Sequence, residues 1–172
     1  MKRLFLSFVL FFGAFSNIFG QDIQDKNQMI FVDIFPIVTG IVSGGVGLGF
    51  GYEHDIGKYF GTGGEIIFVS DFDDMISYNI IANGIFYPIR TRIGNLFIDE
   101  GLSYRRRKSN YDGSNDDIIC LMGLTNIGWK IILFNSFVLI PEFGIKYDIV
   151  TFYGDEAYKF GLNIKTKIGW MF

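Results

Sequence analysis

The chain has 172 residues, of which 49% are hydrophobic, 18% aromatic and 19% charged, with a formal net charge of −3 at pH 7. A mean hydropathy of +0.31 excludes an intrinsically disordered chain. One cysteine and one histidine exclude a disulfide framework and a cysteine-based zinc site. The acidic balance argues against a nucleic-acid partner, and we expect no cofactor or metal. The length is typical of one domain. That domain has to accommodate an unusually large number of aromatic side chains.

The amino terminus has the layout of a secretory signal peptide. A basic pair precedes an apolar run over 4–15, and small residues follow. The run is shorter than the roughly 20 residues that a membrane helix needs. Cleavage after Ser16 or after Gly20 fits the small residues, and we favour Gly20. The sequence therefore predicts an exported protein, with a signal peptide over 1–20 and a polar segment over 21–28.

The rest of the chain alternates apolar and polar residues with period two, which is typical of β-strands. In 158–172, aromatic and aliphatic residues alternate with lysine, asparagine and glycine, and in 45–53 they alternate with glycine. The predicted strands are 29–37, 43–54, 59–70, 76–89, 96–107, 117–131, 136–149 and 158–172. Short connections alternate with longer polar loops, as in up-and-down outer-membrane barrels. The predicted fold is all-β, an eight-stranded antiparallel up-and-down transmembrane β-barrel over 29–172.

The composition of the two strand faces indicates which face meets lipid. A soluble ligand-binding barrel, such as a lipocalin, also has eight strands and stays an alternative. Here, however, the polar faces are rich in glycine, which suits the narrow interior of an eight-stranded barrel. Aromatic residues gather near both ends of the apolar faces, as at bilayer interfaces. The set predicted at the short-turn end is Tyr52, Tyr59, Phe60, Phe86, Phe97, Trp129, Phe137, Trp170 and Phe172.

The same phasing predicts a charge network inside the barrel. Its members are Asp33, Glu53, Glu65, Asp99, Arg105, Lys130, Glu142, Lys146, Asp148, Lys159, Lys165 and Lys167. Charges of both signs in a narrow interior should pair, because an unpaired buried charge is costly. We therefore expect a plugged interior. The adjacent pair Asp99 and Glu100 breaks the alternation, and a β-bulge there would keep both away from lipid.

Candidate chemistry outside this network is sparse. The lone histidine, His54, lies at the short-turn end, whereas Ser70 and Ser103 lie toward the other end. A Ser-His-carboxylate arrangement would need these groups within hydrogen-bond reach, so we predict no catalytic residues. The basic run Arg106, Arg107 and Lys108 lies at the outer rim and is a candidate contact for lipopolysaccharide phosphates.

The carboxyl terminus carries a resemblance to a known family. Ile164, Ile168, Trp170 and Phe172 alternate toward a final phenylalanine. This motif resembles the assembly signal of Gram-negative outer-membrane proteins, and the whole chain resembles the small OmpA/OmpX-type barrels. The resemblance implies an outer-membrane location, lipid and the outer-membrane assembly machinery as partners, and roles in envelope structure, adhesion or solute passage.

We therefore predict a monomeric, non-enzymatic outer-membrane barrel with an envelope-structural, adhesion or surface-interaction role. The alternatives are a narrow porin-like channel or binding site for a small solute, a lipid-modifying outer-membrane enzyme, and a soluble exported ligand-binding barrel.

Overall fold

The computed structural model describes residues 27–42, 44–71, 75–91, 94–109, 116–133, 136–154 and 160–172. The predicted signal peptide lies outside these residues. The elements are β1 (Gln28–Asp33), α1 (Phe35–Val42), β2 (Val46–Asp55), β3 (Phe60–Ser70), β4 (Met75–Arg90), β5 (Gly94–Ser109), β6 (Asp116–Leu133), β7 (Phe137–Tyr153) and β8 (Phe160–Met171). Within the described ranges, no helix is long and apolar enough to span a membrane.

The eight strands form one closed antiparallel barrel in chain order, with β1 pairing both β2 and β8. The prediction of an eight-stranded up-and-down barrel is confirmed. The stagger of the barrel follows from the register of its strand pairs. A row of paired residues that starts at Met171 of β8 and crosses every strand returns to β8 at Gly161, ten residues before its start. Such a stagger tilts the strands by about 40° and leaves an interior that side chains can fill.

The barrel exposes apolar side chains and buries charged ones. In β2, for example, Leu48 and Phe50 are exposed whereas Gly49 is buried. Exposed aliphatic residues cover the outer wall, and exposed aromatic residues flank them. Toward the short-turn end these are Tyr52, Trp129, Trp170 and Phe172, and toward the other end Phe68, Tyr104, Tyr147 and Phe160. The glycine-rich faces line the interior, as the sequence predicts.

A hydrophobic cluster fills the interior at the short-turn end. Its buried members are Met29, Phe31, Ile85, Tyr87, Phe97, Val138, Ile140 and Met171. The prediction that Phe97 belongs to the outer aromatic set is therefore wrong, because its ring is 1% exposed and lies inside the barrel. Its ring occupies the space beside Gly128, where a Cβ atom would collide with it. Glycine thus makes room for large rings in a narrow interior.

The first predicted strand is shorter than expected, because β1 ends at Asp33 and α1 follows. The Asp33 carboxylate accepts a hydrogen bond from the Phe35 backbone N–H at 3.0 Å, which turns the chain. Proline 36 then removes the N–H that a continuing strand would donate. The helix packs on the inner side of β2, where a Cβ atom at Gly47 would collide with the backbone of Pro36. Helix α1 therefore covers part of the barrel opening at the loop end, opposite the short turns.

The strands differ greatly in length. Strands β4 to β7 have 16 to 18 residues, whereas β1 has six and β2 has ten. A transmembrane strand needs roughly 9–11 residues. One side of the barrel wall therefore extends beyond a bilayer-sized apolar band at its loop end.

Candidate functional site: the barrel interior

The interior contains most of the predicted charge network. Eight of its twelve members are buried: Asp33, Glu53, Glu65, Asp99, Lys130, Glu142, Lys165 and Lys167. Arg105, Lys146 and Asp148 lie on the same inner face but are half-buried. Lys159 lies outside the described residues.

The first ion pair lies against the hydrophobic cluster, since Glu53 is paired with Met29 and Lys130 contacts Tyr87. Lys130 Nζ is 2.7 Å from Glu53 Oε2 and donates a hydrogen bond to the Tyr87 hydroxyl at 2.7 Å. The ammonium also lies 4.9 Å from the centre of the Tyr87 ring. Lys130 on β6 is thereby held to β2 and β4, on the other side of the barrel.

Two further pairs connect β8 across the interior. Lys165 Nζ lies 2.5 Å from Glu65 Oε2, and Lys167 Nζ lies 2.6 Å from Glu142 Oε1. The Lys167 ammonium also lies 4.6 Å from the centre of the Phe31 ring. Each carboxylate is compensated by a cation, which is the condition for burying charge at tolerable cost.

Asp99 is held by amides instead of a cation. Asn83 Nδ2 and Asn126 Nδ2 donate hydrogen bonds to its two carboxylate oxygens at 2.9 and 3.0 Å. Asn163 in turn donates to Asn126 Oδ1 at 2.7 Å. Asp99 is among the predicted interior residues, whereas the three asparagines are not, although their inward phase in the alternation indicates the same face.

The expected bulge at Asp99 and Glu100 is absent. Pairing of β5 with β6 runs without interruption from Gly94 to Ser109. Glu100 therefore faces outward, and its Oε2 accepts a hydrogen bond from Thr125 Oγ1 at 3.0 Å. A cross-strand hydroxyl, not a bulge, accommodates this carboxylate on the outer wall.

A fourth interior ion pair is not among the predicted residues. Arg90 Nη2 lies 2.9 Å from Asp55 Oδ2, and the guanidinium lies 4.0 Å from the centre of the Tyr87 ring. The predicted strands end at residues 54 and 89, which places Asp55 and Arg90 at the edges of short turns and not on a strand face. Asp55 lies two residues beyond Glu53, so it shares the inward face of Glu53. This spacing was the feature of the sequence that indicated an interior position for Asp55.

The basic run at the loop end is divided between the two faces of β5. Arg106 faces outward and forms a two-point contact with Asp117, at 3.0 and 2.6 Å. These hydrogen bonds from Arg106 lower the pKa of the Asp117 carboxyl below its usual value. Lys108 is exposed on the same outer face, whereas Arg107 alternates to the inner face. Of the candidate lipopolysaccharide contacts, only Arg106 and Lys108 thus face outward.

His54 has no neighbouring carboxylate on its own face of β2. Its sequence neighbours Glu53 and Asp55 point inward, where they pair with Lys130 and Arg90. Ser103 is buried on the inner wall of β5, on the opposite face of the sheet. Within the described residues, the groups of a Ser-His-carboxylate arrangement are not brought together.

The residues of the predicted assembly signal share the outer face of the last strand. Trp170 and Phe172 are exposed, Ile164 is exposed beside Phe143, and Ile168 is half-buried beside Val32 and Leu139. The terminal phenylalanine is also tied to the barrel, because its N–H donates to the Gln28 carbonyl at 2.9 Å.

Three solved structures are similar to this barrel. The N-terminal β-barrel domain of Pseudomonas aeruginosa OprF matches with a TM-score of 0.63 and 12% identity, over 87% of this chain and 100% of that chain. Neisserial surface protein A matches with a TM-score of 0.56 and 9% identity, over 86% and 95%. Ail, the attachment invasion locus protein of Yersinia pestis, matches with a TM-score of 0.50 and 8% identity, over 85% and 95%.

The chain has the fold of the small OmpA/OmpX-type barrels. No family model matches the sequence, and no curated protein matches it. At 8–12% identity the likeness is one of fold.

Proposed function

We propose that the protein is a non-enzymatic barrel of the bacterial outer membrane that presents its outer strand ends and loops for interaction at the cell surface. The supporting observation is the reversed distribution of side chains. Ile66 and Phe50 on the outer wall are 60% and 55% exposed, whereas Lys167 and Asp33 in the interior are 1% exposed. A soluble barrel would carry its apolar face inside. A bilayer stabilises the reverse arrangement, with aromatic residues at both interfaces.

The filled interior favours a closed barrel over a channel. The hydrophobic cluster occupies the short-turn end, and four ion pairs lie above or beside it. A planar-bilayer recording separates the two functions. A closed barrel gives no discrete conductance steps, whereas a channel for small solutes gives steps that scale with salt concentration.

The position of His54 favours a non-enzymatic role over lipid modification. The imidazole belongs to the short-turn end of β2 and faces away from the interior carboxylates. In cells that show lipid A modification, His54→Ala is expected to leave lipid A composition unchanged. Loss of the modification in this variant would instead support the enzymatic alternative.

The long strands support a surface-interaction role. Strands β4 to β7 extend past the apolar band, and the exposed aromatic residues Phe152 and Tyr153 lie near the outer end of β7. Exposed aromatic side chains are common anchors of protein–protein contacts. Lys108 is exposed on the outer face of β5 at its loop end, where its ammonium is suited to lipopolysaccharide phosphates. Arg106 lies on the same face, but Asp117 engages its guanidinium, so a phosphate would have to compete with that carboxylate.

The partners that we propose follow from the same surfaces. Membrane lipid would contact the apolar wall, and the assembly machinery would recognise the strand that ends in Ile168, Trp170 and Phe172. The barrel is closed without a second copy, which supports a monomer. Deletion of Phe172 is expected to reduce the amount of folded protein in the outer membrane.

Cysteine labelling in intact cells tests the proposed placement. A membrane-impermeant maleimide should label Lys108→Cys, which lies at the loop end, without cell lysis. Lys58→Cys, which is exposed in a short turn, should be labelled only after lysis. The native Cys120 is 0% exposed and gives little background. Equal labelling of both variants in intact cells would contradict the proposal.

A further inference from the structure

Glu100 is a carboxylate in the apolar outer wall of the barrel. On β5 it lies four residues from Tyr104, an exposed aromatic residue toward the loop end. It also lies four residues from Leu96, which is paired with Trp129 toward the short turns. Four residues of strand span about 13 Å, so Glu100 lies near the middle of the apolar band. Ionisable groups at this depth are costly, and they normally have a partner inside the membrane.

The charge of Glu100 is not compensated within the barrel. Thr125 donates one hydrogen bond to Oε2, whereas none of the ion pairs among the described residues includes Glu100. Asp117, which the described part of β6 also directs outward, is paired with Arg106 near the loop end. A carboxylate accepts several hydrogen bonds, and the hydroxyl supplies one. The remaining acceptor capacity of Glu100 faces acyl chains, which have no donors.

The outer wall beside Glu100 is formed by small side chains. The direct partners of Glu100 across the sheet are Gly84 and Thr125, and the same outward face continues through small residues on β4 and β3. We call this surface the Glu100 patch, and it consists of Thr62, Gly64, Ala82, Gly84, Glu100 and Thr125.

Large side chains border the Glu100 patch on two sides. Toward the short turns, the rings of Phe60 and Phe86 lie 5.3 Å apart between centres. Toward the loop end, Ile66 and Ile80 are paired with each other and are exposed. The patch is therefore a shallow depression with a carboxylate beside it. Small residues of this kind let the backbone of a neighbouring membrane segment approach closely, and polar groups hold such segments together.

We propose that the Glu100 patch is an interface for a membrane-spanning segment of another protein that carries a cationic side chain at mid-depth. Charge complementarity selects this occupant. Acyl chains carry no charge, and lipid headgroups lie outside the hydrocarbon core. A second copy of this barrel would bring a second carboxylate to the same depth, and its own Glu100 patch contains no cation. The inference rests on the proposed membrane location, and it adds a lateral partner to the surface role of the loops.

The test uses a synthetic membrane-spanning helix of leucines, roughly 20 residues long, with one lysine at its centre and a fluorescence quencher at each end. It is titrated into vesicles that contain the refolded protein, and a peptide with leucine in place of the lysine is the matched control. Trp129 reports binding, because it lies four residues from Thr125 on the outer face of β6. Trp170→Phe removes the other tryptophan. The heat-dependent shift of the vesicle protein is checked first, so that failure to insert, which counts against the proposed location, is distinct from failure to bind.

The lysine peptide should quench Trp129 saturably and bind at least about tenfold more tightly than the leucine peptide, the value of one charge-assisted hydrogen bond. Glu100→Leu should remove this difference. Ala82→Leu fills the depression at an exposed position and should weaken binding of the lysine peptide while the carboxylate stays in place.

A relocated carboxylate separates the patch from a general charge effect. Ile66 lies six residues from the start of β3, as Glu100 does from the start of β5, and its cross-strand partners are the large residues Phe50 and Ile80. Ile66→Glu in a Glu100→Leu background should therefore not restore tight binding. Equal binding of both peptides to the wild type, or full restoration by Ile66→Glu, would overturn the proposal. Energy transfer between separately labelled copies of the barrel that is lost in Glu100→Leu would assign the patch to a second copy and would also overturn it.

Discussion

Removal of the Lys167 ammonium is the sharpest test of the charge pairing inside the barrel. Lys167 is 1% exposed, lies 2.6 Å from Glu142 Oε1 and covers the face of the Phe31 ring. Lys167→Met keeps most of the side-chain volume but leaves Glu142 without its cation. Lys165 cannot replace it readily, because its own ammonium is held by Glu65 at 2.5 Å.

The magnitude follows from the contact distance and the burial of both groups. At an effective dielectric constant of about 20, opposite charges roughly 4 Å apart attract by about 4 kcal/mol. Breaking a buried pair by removing one partner costs about 3–5 kcal/mol, because the remaining charge keeps its desolvation penalty. We expect Lys167→Met to lower the free energy of unfolding by this amount. The double variant with Glu142→Gln should recover at least half of the loss, because it removes the uncompensated charge.

The assay is reversible urea unfolding of the protein in lipid vesicles, followed by tryptophan fluorescence. The chain has two tryptophans, and both Trp129 and Trp170 are exposed on the outer wall, where emission reports transfer from lipid to water. Lys108→Met serves as the control, since it removes an exposed cation and should change the free energy of unfolding by less than about 0.5 kcal/mol.

Two outcomes would refute this reasoning. The first is a loss of less than about 1 kcal/mol in Lys167→Met, which would mean that Glu142 is not dependent on that cation. The second is a double variant whose loss equals or exceeds the sum of the two single losses, since independent sites are additive.

Two further predictions concern close packing and the outer wall. Gly144→Ala should cost about 1–3 kcal/mol in the same urea assay, because the added Cβ would collide with the Thr125 carbonyl. Gly64→Ala, whose added Cβ meets only one atom, at 3.3 Å, should cost less, and an equal cost would contradict the packing argument. Glu100→Leu should stabilise the protein in vesicles by about 1–2 kcal/mol, because a carboxylate that faces acyl chains is unfavourable. Destabilisation of that variant would show that the contact of Glu100 with Thr125 outweighs the cost of placing the carboxylate in lipid.

The period-two pattern was sufficient to predict the barrel, since it decides both the strand count and the face that each residue occupies. It could not distinguish α1 from a strand, because Phe35–Val42 is as apolar as its neighbours. The helix depends on the Asp33 side chain and on space beside Gly47, which are tertiary features. The same pattern does place Phe97 inside, because Phe97 lies two residues before the inward-facing Asp99. Its assignment to the outer aromatic set relied on its residue type and its position near a strand end instead of on its phase.

The pairing of charges was predictable in kind but not in detail. Alternation places Glu65 and Lys165 on inward faces, but they lie 100 residues apart in the sequence. Their contact depends on the stagger of the closed barrel, which no local pattern contains.

The most direct test of the account is the electrophoretic mobility of the protein from fractionated cells, before and after boiling. We predict that the protein is recovered in the outer-membrane fraction and that its unboiled band shifts on heating, as a closed, detergent-resistant barrel unfolds. Recovery in a soluble fraction without detergent, with no heat-dependent shift, would contradict the assignment of the apolar wall to lipid.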